Sequence, residues 1–544
     1  MKSIAYYLRG IKNVVLEFMD PYIKEFIQHN KMVWKDCDNR RLDSEILVPV
    51  CGWPRTVIEW AYFSNIFAEL YSAKILSYGF NKMNIVGYQA EKICQSFGCS
   101  QYIFVSLSFD EEKKCIEKAD NIFRNLTTKE ALCDLCIDDI NVGMNIYDTY
   151  LQQLWEPTVD LKDIRLKALI EDAVKMIFFW RQYFSTHKVK VFITDTEHYM
   201  QAIVASLAAA CGVEVYAIGM GHGVKLSKRY AWNENFRYYH KLYQQLPKDL
   251  QTAGIQWAQR QLKRRLDGEV GVDMGYVTKS AFSRASNYCS RALSKNKAFK
   301  VLIATHDFFD SPHGLGEKHL FPDFYEWLCH LGVIAQNTPY EWYVKVHPDE
   351  SKQTIEVIRD LINKYPKLQW VDQNIPHQQL IDEGIRVVLT VYGTVGCEYP
   401  LLGIPVINAG YNPHIAYNFN LHPKTIQEYD SILYHLDEVN LDFSIEEIYA
   451  FYFMHHIFGL DNSPYRYRDD LVVPSIRELN QMTANDDTSS LAYHLFLQSF
   501  TQEWHIETIN KVKEYIRFMD EFTWDNVYVD ESCLRRIYER IGAS

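Results

Sequence analysis

The chain has 544 residues, with 57 Lys plus Arg against 69 Asp plus Glu and a formal net charge of −12. That length exceeds the roughly 250–300 residues at which one hydrophobic core stops growing, so two or more domains are expected. A hydrophobic content of 48%, a charged content of 23% and only 24 Gly and 17 Pro exclude a disordered or linker-like chain, and the acidic balance opposes dedicated nucleic-acid binding.

Taken in chain order, Met1 to Tyr22 has amphipathic helical spacing interrupted by Lys2, Arg9, Lys12 and Glu17, the pattern of neither a signal peptide nor a membrane span. Candidate strands follow at Glu45–Val50, Met83–Gly87, Tyr102–Leu107, Lys188–Thr194 and Val213–Ile218. Helical segments separate them, notably Thr56–Leu76, Lys129–Ile140 and Asp160–Phe184; the apolar run Ala202–Val213 is short enough to be a buried helix. After a polar, basic stretch at Ser294–Lys297 the alternation resumes. Strands are expected at Phe299–Thr305, Trp342–Val346, Leu368–Val371, Arg386–Val391 and Pro405–Ile407, with helices at Phe321–Ala335, Lys352–Tyr365, Pro376–Glu383 and Val395–Leu402. From about Ser444 the pattern turns helical, with Ser490–Phe500, Ile506–Phe518 and Glu531–Ile541. The reading is two α/β lobes, 1–293 and 294–440, followed by a helical tail, 441–544, that packs on them. The 12 cysteines are scattered as reduced thiols; Cys133 and Cys136, a single C-x-x-C, lack the second pair that a zinc site needs. The 37 Tyr, 29 Phe and 12 Trp are mostly accounted for by helix packing.

Ligands of open parallel sheets sit beyond the carboxyl ends of the strands, which ranks the motifs. In the second lobe, the buried run Arg386–Val391 leads into Tyr392, Gly393, Thr394, Val395 and Gly396 and then a short helix. Backbone N–H groups at that turn and the Thr394 hydroxyl suit a phosphate or diphosphate, and Glu398, one helical turn on, suits a ribose or sugar hydroxyl. The strand Trp342–Val346 ends in His347 and Pro348, presenting His347 to a phosphate oxygen with Lys345 on the same face. The loop Thr305 to Gly316 carries His306, Asp307, Asp310 and His313. No helical His-x-x-x-His spacing exists there, so substrate contact by His306 and His313 and a catalytic role for Asp310 are favoured over metal. Asn412 and His414, in the loop after Pro405–Ile407, are further substrate-contact candidates, although such residues also serve turns.

In the first lobe, the strand Lys188–Thr194 ends at Asp195, which caps the next helix or acts as a base. His222, between Gly221 and Gly223 after Val213–Ile218, is expected on a free loop as general base toward an acceptor hydroxyl. The basic segment Gln256–Leu266, with Arg260, Lys263, Arg264 and Arg265, reads as a solvated face or as a contact with an anionic leaflet.

On these residues the chain resembles bacterial capsule and surface-polysaccharide glycosyltransferases of the GT-B fold, most of all the capsule Kdo transferases and more distantly teichoic-acid glycerophosphotransferases. The resemblance is confined to motifs between about Val191 and Asn420. It implies a GT-B-like fold, two Rossmann-like lobes facing a central cleft, in which His347, Pro348 and Thr394 hold the donor phosphate and His222 with Gly223 stands on the acceptor side. Gly393 to Gly396 departs from the more usual serine-rich turn. The implied function is transfer of a sugar from a nucleotide-activated donor, CMP-Kdo-like or another nucleotide sugar, to a growing capsule or other surface glycan. The nucleotide sugar is a substrate, and neither cofactor nor metal is expected. Expected partners are the nucleotide sugar and a glycan or lipid-linked glycan acceptor, with no nucleic acid. The expected location is cytoplasmic, with peripheral contact at the inner membrane face or with a capsule assembly complex left open. A CDP-alditol phosphotransferase, a nucleotide-sugar epimerase and a non-catalytic glycan-binding subunit are the alternatives.

Overall fold

The computed structural model describes residues 20–35, 43–50, 54–80, 85–195, 198–219, 222–226, 234–270, 272, 279–282, 290–314, 317–348, 350–458, 490–521 and 531–542. The first sheet contains β1 (Ser44–Pro49), β2 (Ala73–Tyr78) and β3 (Cys99–Ile103). After a small hairpin, β4 (Cys136–Ile137) and β5 (Ile140–Asn141), it continues with β6 (Lys188–Thr194), β7 (Glu214–Gly219) and β8 (His222–Leu226). Its order is β3-β2-β1-β6-β7-β8, parallel except for the β7–β8 pair. The second sheet, β9 (Lys300–Ala304), β10 (Glu341–Lys345), β11 (Leu368–Trp370), β12 (Ile385–Thr390) and β13 (Val406–Asn408), is parallel throughout in the order β11-β10-β9-β12-β13.

Both sheets therefore follow the doubly wound order in which the chain reverses direction beside its first strand, at β1/β6 and at β9/β12. Such sheets are covered on both faces, which explains the unbroken apolar runs Val387-Val388-Leu389 and Val301-Leu302-Ile303, all buried. Helices 491–499 and 502–521 return to the first lobe, where Tyr493, Phe496, Val512 and Ile516 join the core of β1 and of the helix Pro54–Tyr71. Helices 445–453 and 531–541 instead pack on Lys248–Leu266 through Phe451, Phe453 and Ile537.

Three sequence expectations give way. The helix Thr56–Leu76 stops at Tyr71, and Ala73–Tyr78 is strand β2: Ser72, at φ 49°, turns the chain, and parallel pairing with β1 overrides the helical run. Of the strand expected at Met83–Gly87, the described residues 85–87 are helical. Residues 81–84 lie outside the described set, and Ile85–Ser96 is a helix. The helix Lys129–Ile140 ends at Cys133, because Asp138 and Asp139, at φ 48° and 67°, make the two-residue turn that joins β4 to β5.

Candidate functional site

A cleft of about 930 Å³ opens at the carboxyl end of the second sheet. It lies over the β9/β12 reversal: Thr305, His306 and Asp307 enter it from β9, Lys345 and His347 from β10, and Tyr392, Gly393 and Thr394 from β12. The strand order alone selects this position, since the loops beyond β9 and β12 leave in opposite directions and part there.

His347 is exposed at the tip of β10 and lines the cleft. Lys345 lies behind it, almost fully buried, and its Nζ donates to the Gln373 carbonyl at 2.8 Å. Burial lowers its ammonium to about 8, against the pull of Asp372. Gly393 and Thr394 border the cleft at the start of the helix Val395–Leu401. A side chain at Gly393 would meet the Thr390 hydroxyl at 2.8 Å, so the glycine lets the turn lie flat on the strand end. Gly396 serves packing instead: a Cβ there would stand 2.4 Å from His414 Cε1.

Glu398 departs from its expected role. It is buried and pairs with Arg265, whose Nε donates to Oε1 at 2.5 Å while Nη2 donates to the Thr394 hydroxyl at 3.2 Å. Arg265 also lines the cleft, so the basic segment Gln256–Leu266 is not one uniform outer face. Arg264 pairs with Glu269, and Arg260 donates to the Ile541 carbonyl. Sequence reasoning missed Arg265 because its role depends on a contact 133 residues away.

The loop after β9 divides its residues. His306 Nε2 lies 3.1 Å from the Thr390 hydroxyl and accepts from the Val391 and Tyr392 N–H groups, and burial lowers its imidazole to about 3. It is a neutral strut under the Gly393–Thr394 turn. Asp310 is exposed in the cleft and accepts from the Tyr199 hydroxyl at 3.3 Å, bringing the first lobe to the rim. His313 leaves the cleft altogether. It is buried with its Nδ1 2.6 Å from Asp148 of the first lobe, and although burial opposes its charge, Asp148 and Cys133 hold the imidazole up at about 10. Beside it, Tyr147 and Thr158 donate to Asp323. This is a buried seam between the lobes and not the expected substrate contact.

Asn412 is also corrected. Fully buried, it donates to the Gly410 carbonyl and accepts from the His414 N–H, which holds the turn after β13. His414 reaches the cleft lining but is buried against Gly396 and Phe451, and burial drives its imidazole well below the usual value. Sequence reasoning also overlooked Glu350, three residues beyond His347. It is half-buried in the cleft, and burial first, then neighbouring Asp307 and Asp310, raise its carboxyl to about 7.

In the first lobe, Asp195 stands at the end of β6, at the β1/β6 reversal. It is open to solvent but deep among protein atoms, and that crowding raises its carboxyl. Three residues on, His198 and Tyr199 face Asp310. His222 is not on a free loop: it begins β8, opposite Gly219 in an antiparallel hairpin. Its side chain lies outside the described residues. Asp195 is not among the described residues lining the 930 Å³ cleft.

Among the described residues no group of three or more His, Cys, Asp and Glu side chains is arranged to hold a metal ion, and no helix is long and apolar enough to cross a membrane. Two doubly wound sheets with facing carboxyl ends make the chain GT-B-like in architecture. No protein-family model and no curated protein matches it. Among solved structures it is similar to a β-Kdo 2,4 transferase, KpsC, of Thermosulfurimonas dismutans, at 15% identity over 48% of this chain and 79% of that one, TM-score 0.30. It is similar to a UDP-GlcNAc 2-epimerase of Neisseria meningitidis bound to UDP-GlcNAc, at 11% identity over 75% and 97%, TM-score 0.22. A third is the wall teichoic acid polymerase TagF, at 11% identity over 91% and 98%, TM-score 0.18.

Proposed function

We propose that the chain is a glycosyltransferase of surface-glycan assembly that moves a sugar from a nucleotide-activated donor, of the CMP-Kdo kind or another nucleotide sugar, to a glycan or lipid-linked glycan. The observation that carries this reading is the placement of basic side chains beside the strand-end turn: Arg265, Lys279, Lys345 and His347 line the same space as Gly393 and Thr394. As the anomeric bond breaks, charge gathers on the leaving phosphate, and these groups are in place before reaction to stabilise it. Lys345, softened by burial, keeps most of its charge at pH 7 because its value of about 8 lies above it. The acceptor enters from the first lobe, where Asp195, with a raised carboxyl, takes the hydroxyl proton. The lobes that present donor and acceptor are joined by the buried His313–Asp148 pair. The enzyme works on the cytoplasmic side, in peripheral contact with the membrane that carries its lipid-linked acceptor.

The test is isothermal calorimetry of the full chain against CMP-, UDP- and GDP-sugars, with His347→Ala as the control. One nucleotide class is expected to bind, and His347→Ala is expected to weaken it about 10- to 100-fold, the worth of one charge-assisted hydrogen bond. Absence of binding by every nucleotide sugar refutes the proposal.

A further inference from the structure

The cleft holds a carboxyl pair that phosphate binding does not require. Glu350 follows the His347 corner, where its N–H donates to the His347 carbonyl at 3.1 Å, and lines the cleft beside Asp307, the third residue beyond the Ala304 end of β9. Two carboxyl groups brought together away from water resist carrying two charges at once, and their other partners tell them apart. Asp307 Oδ1 already accepts from the Phe309 N–H at 2.9 Å and from the Thr354 hydroxyl at 2.9 Å. Glu350 Oε1 accepts one backbone N–H, that of Ser351, at 3.0 Å. Glu350, with a single backbone donor, is thus the member of the pair that carries the proton.

Resting on the nucleotide-sugar reading above, we propose that Glu350 is the catalytic proton donor to the departing phosphate, with Asp307 as its positioning residue. The bond between the anomeric carbon and the phosphate oxygen breaks, and its electron pair stays on that oxygen. The Glu350 carboxyl proton moves to the same oxygen. The attacking hydroxyl forms the new bond to the anomeric carbon and gives its proton to the first-lobe carboxylate Asp195. Glu350 regains a proton from solvent through the open cleft. Its value of about 7 lies close to the second ionisation of a phosphate monoester, roughly 6, so the transfer is nearly balanced in energy. The charged and histidine side chains that line the cleft with the pair are His306 and Asp310 from the loop after β9, Lys345 and His347 at the end of β10, Arg265 and Glu269 at and just beyond the end of the helix Lys248–Leu266, Lys279, and His377, Glu398, His414, His455 and His456 on the rest of the lining. Asp307 and Asp310 favour the protonated form of Glu350, and the Ser351 N–H favours the ionised one.

The experiment measures release of nucleotide from whichever CMP-, UDP- or GDP-sugar binds in calorimetry, with water as acceptor, between pH 5.5 and 9. For the unaltered chain kcat is expected to fall as pH rises through about 7, since the acid form is the active one. Glu350→Gln is expected to bind the same nucleotide sugar within about threefold, to lose about 10²-fold in kcat and to lose that alkaline limb. Asp307→Asn is expected to move the limb to lower pH, because it removes a negative neighbour that holds the proton on Glu350; a purely structural role would lower kcat without moving the limb. Normal nucleotide binding with an alkaline limb unchanged in Glu350→Gln overturns this inference alone. Failure of every nucleotide sugar to bind overturns it together with the function it rests on.

Discussion

The buried seam between the lobes gives a prediction whose size follows from the structure. His313 and Asp148 are 2.6 Å apart, with side chains 2% and 3% exposed, one from each lobe. At about 1.4 kcal/mol per tenfold change in proton affinity, the rise of His313 from 6.5 to about 10 is worth roughly 5 kcal/mol at pH below 6.5 and about 3 kcal/mol at pH 7.5. Part of this is offset, because burial raises the Asp148 carboxyl even with His313 beside it. A net coupling of about 2 kcal/mol at pH 7.5 is therefore expected, below the 3–5 kcal/mol often lost when a buried pair is broken, since His313 without its partner can shed its proton. The assay is a double-mutant cycle of Asp148→Asn and His313→Gln followed by thermal unfolding at pH 6, 7.5 and 9.5. His313 has a folded value above its unfolded one. Its contribution is complete below pH 6.5, shrinks between 6.5 and 10 and is lost beyond about 10. The coupling should be largest at pH 6 and small at pH 9.5. A coupling under about 0.5 kcal/mol at pH 6, or one independent of pH, would refute the reasoning.

Arg265→Met should destabilise the fold by about 3–5 kcal/mol, because Glu398, 2% exposed at its side chain, is left as an unpaired buried charge. Adding Glu398→Leu should restore most of that loss in thermal unfolding but leave nucleotide affinity reduced. Gly396→Ala places a Cβ 2.4 Å from His414 Cε1 and 2.6 Å from Nδ1, so a loss of about 1–3 kcal/mol is expected by thermal unfolding, and pairing it with His414→Ala should recover part of it. Asp195→Asn should abolish transfer to a glycan acceptor while calorimetry shows nucleotide affinity unchanged, since Asp195 does not line the second-lobe cleft.

Much of the second lobe was legible in the sequence because its strands are buried on both faces and its helices carry a plain 3.6-residue period. The run from Arg386 to Val391 and the strand ending at Lys345 read directly, and with them the His347 corner and the Gly393 turn. The first lobe was less legible: Ala73–Tyr78 follows a long helix after only Ser72, and no period distinguishes a six-residue buried strand from one more helical turn.

The sequence by itself determined the alternation of strands and helices, and so the two sheets and the ends of the strands where chemistry collects, because burial periodicity and glycine placement are local properties. Only the tertiary structure decided what each polar side chain does there. Arg265 turns into the cleft, Glu398 is occupied by it, His313 binds the lobes together and Glu350 meets Asp307. Each of these outcomes depends on the charge brought opposite the residue by a distant segment and on the water removed between them, and neither is written in the spacing of its own neighbours.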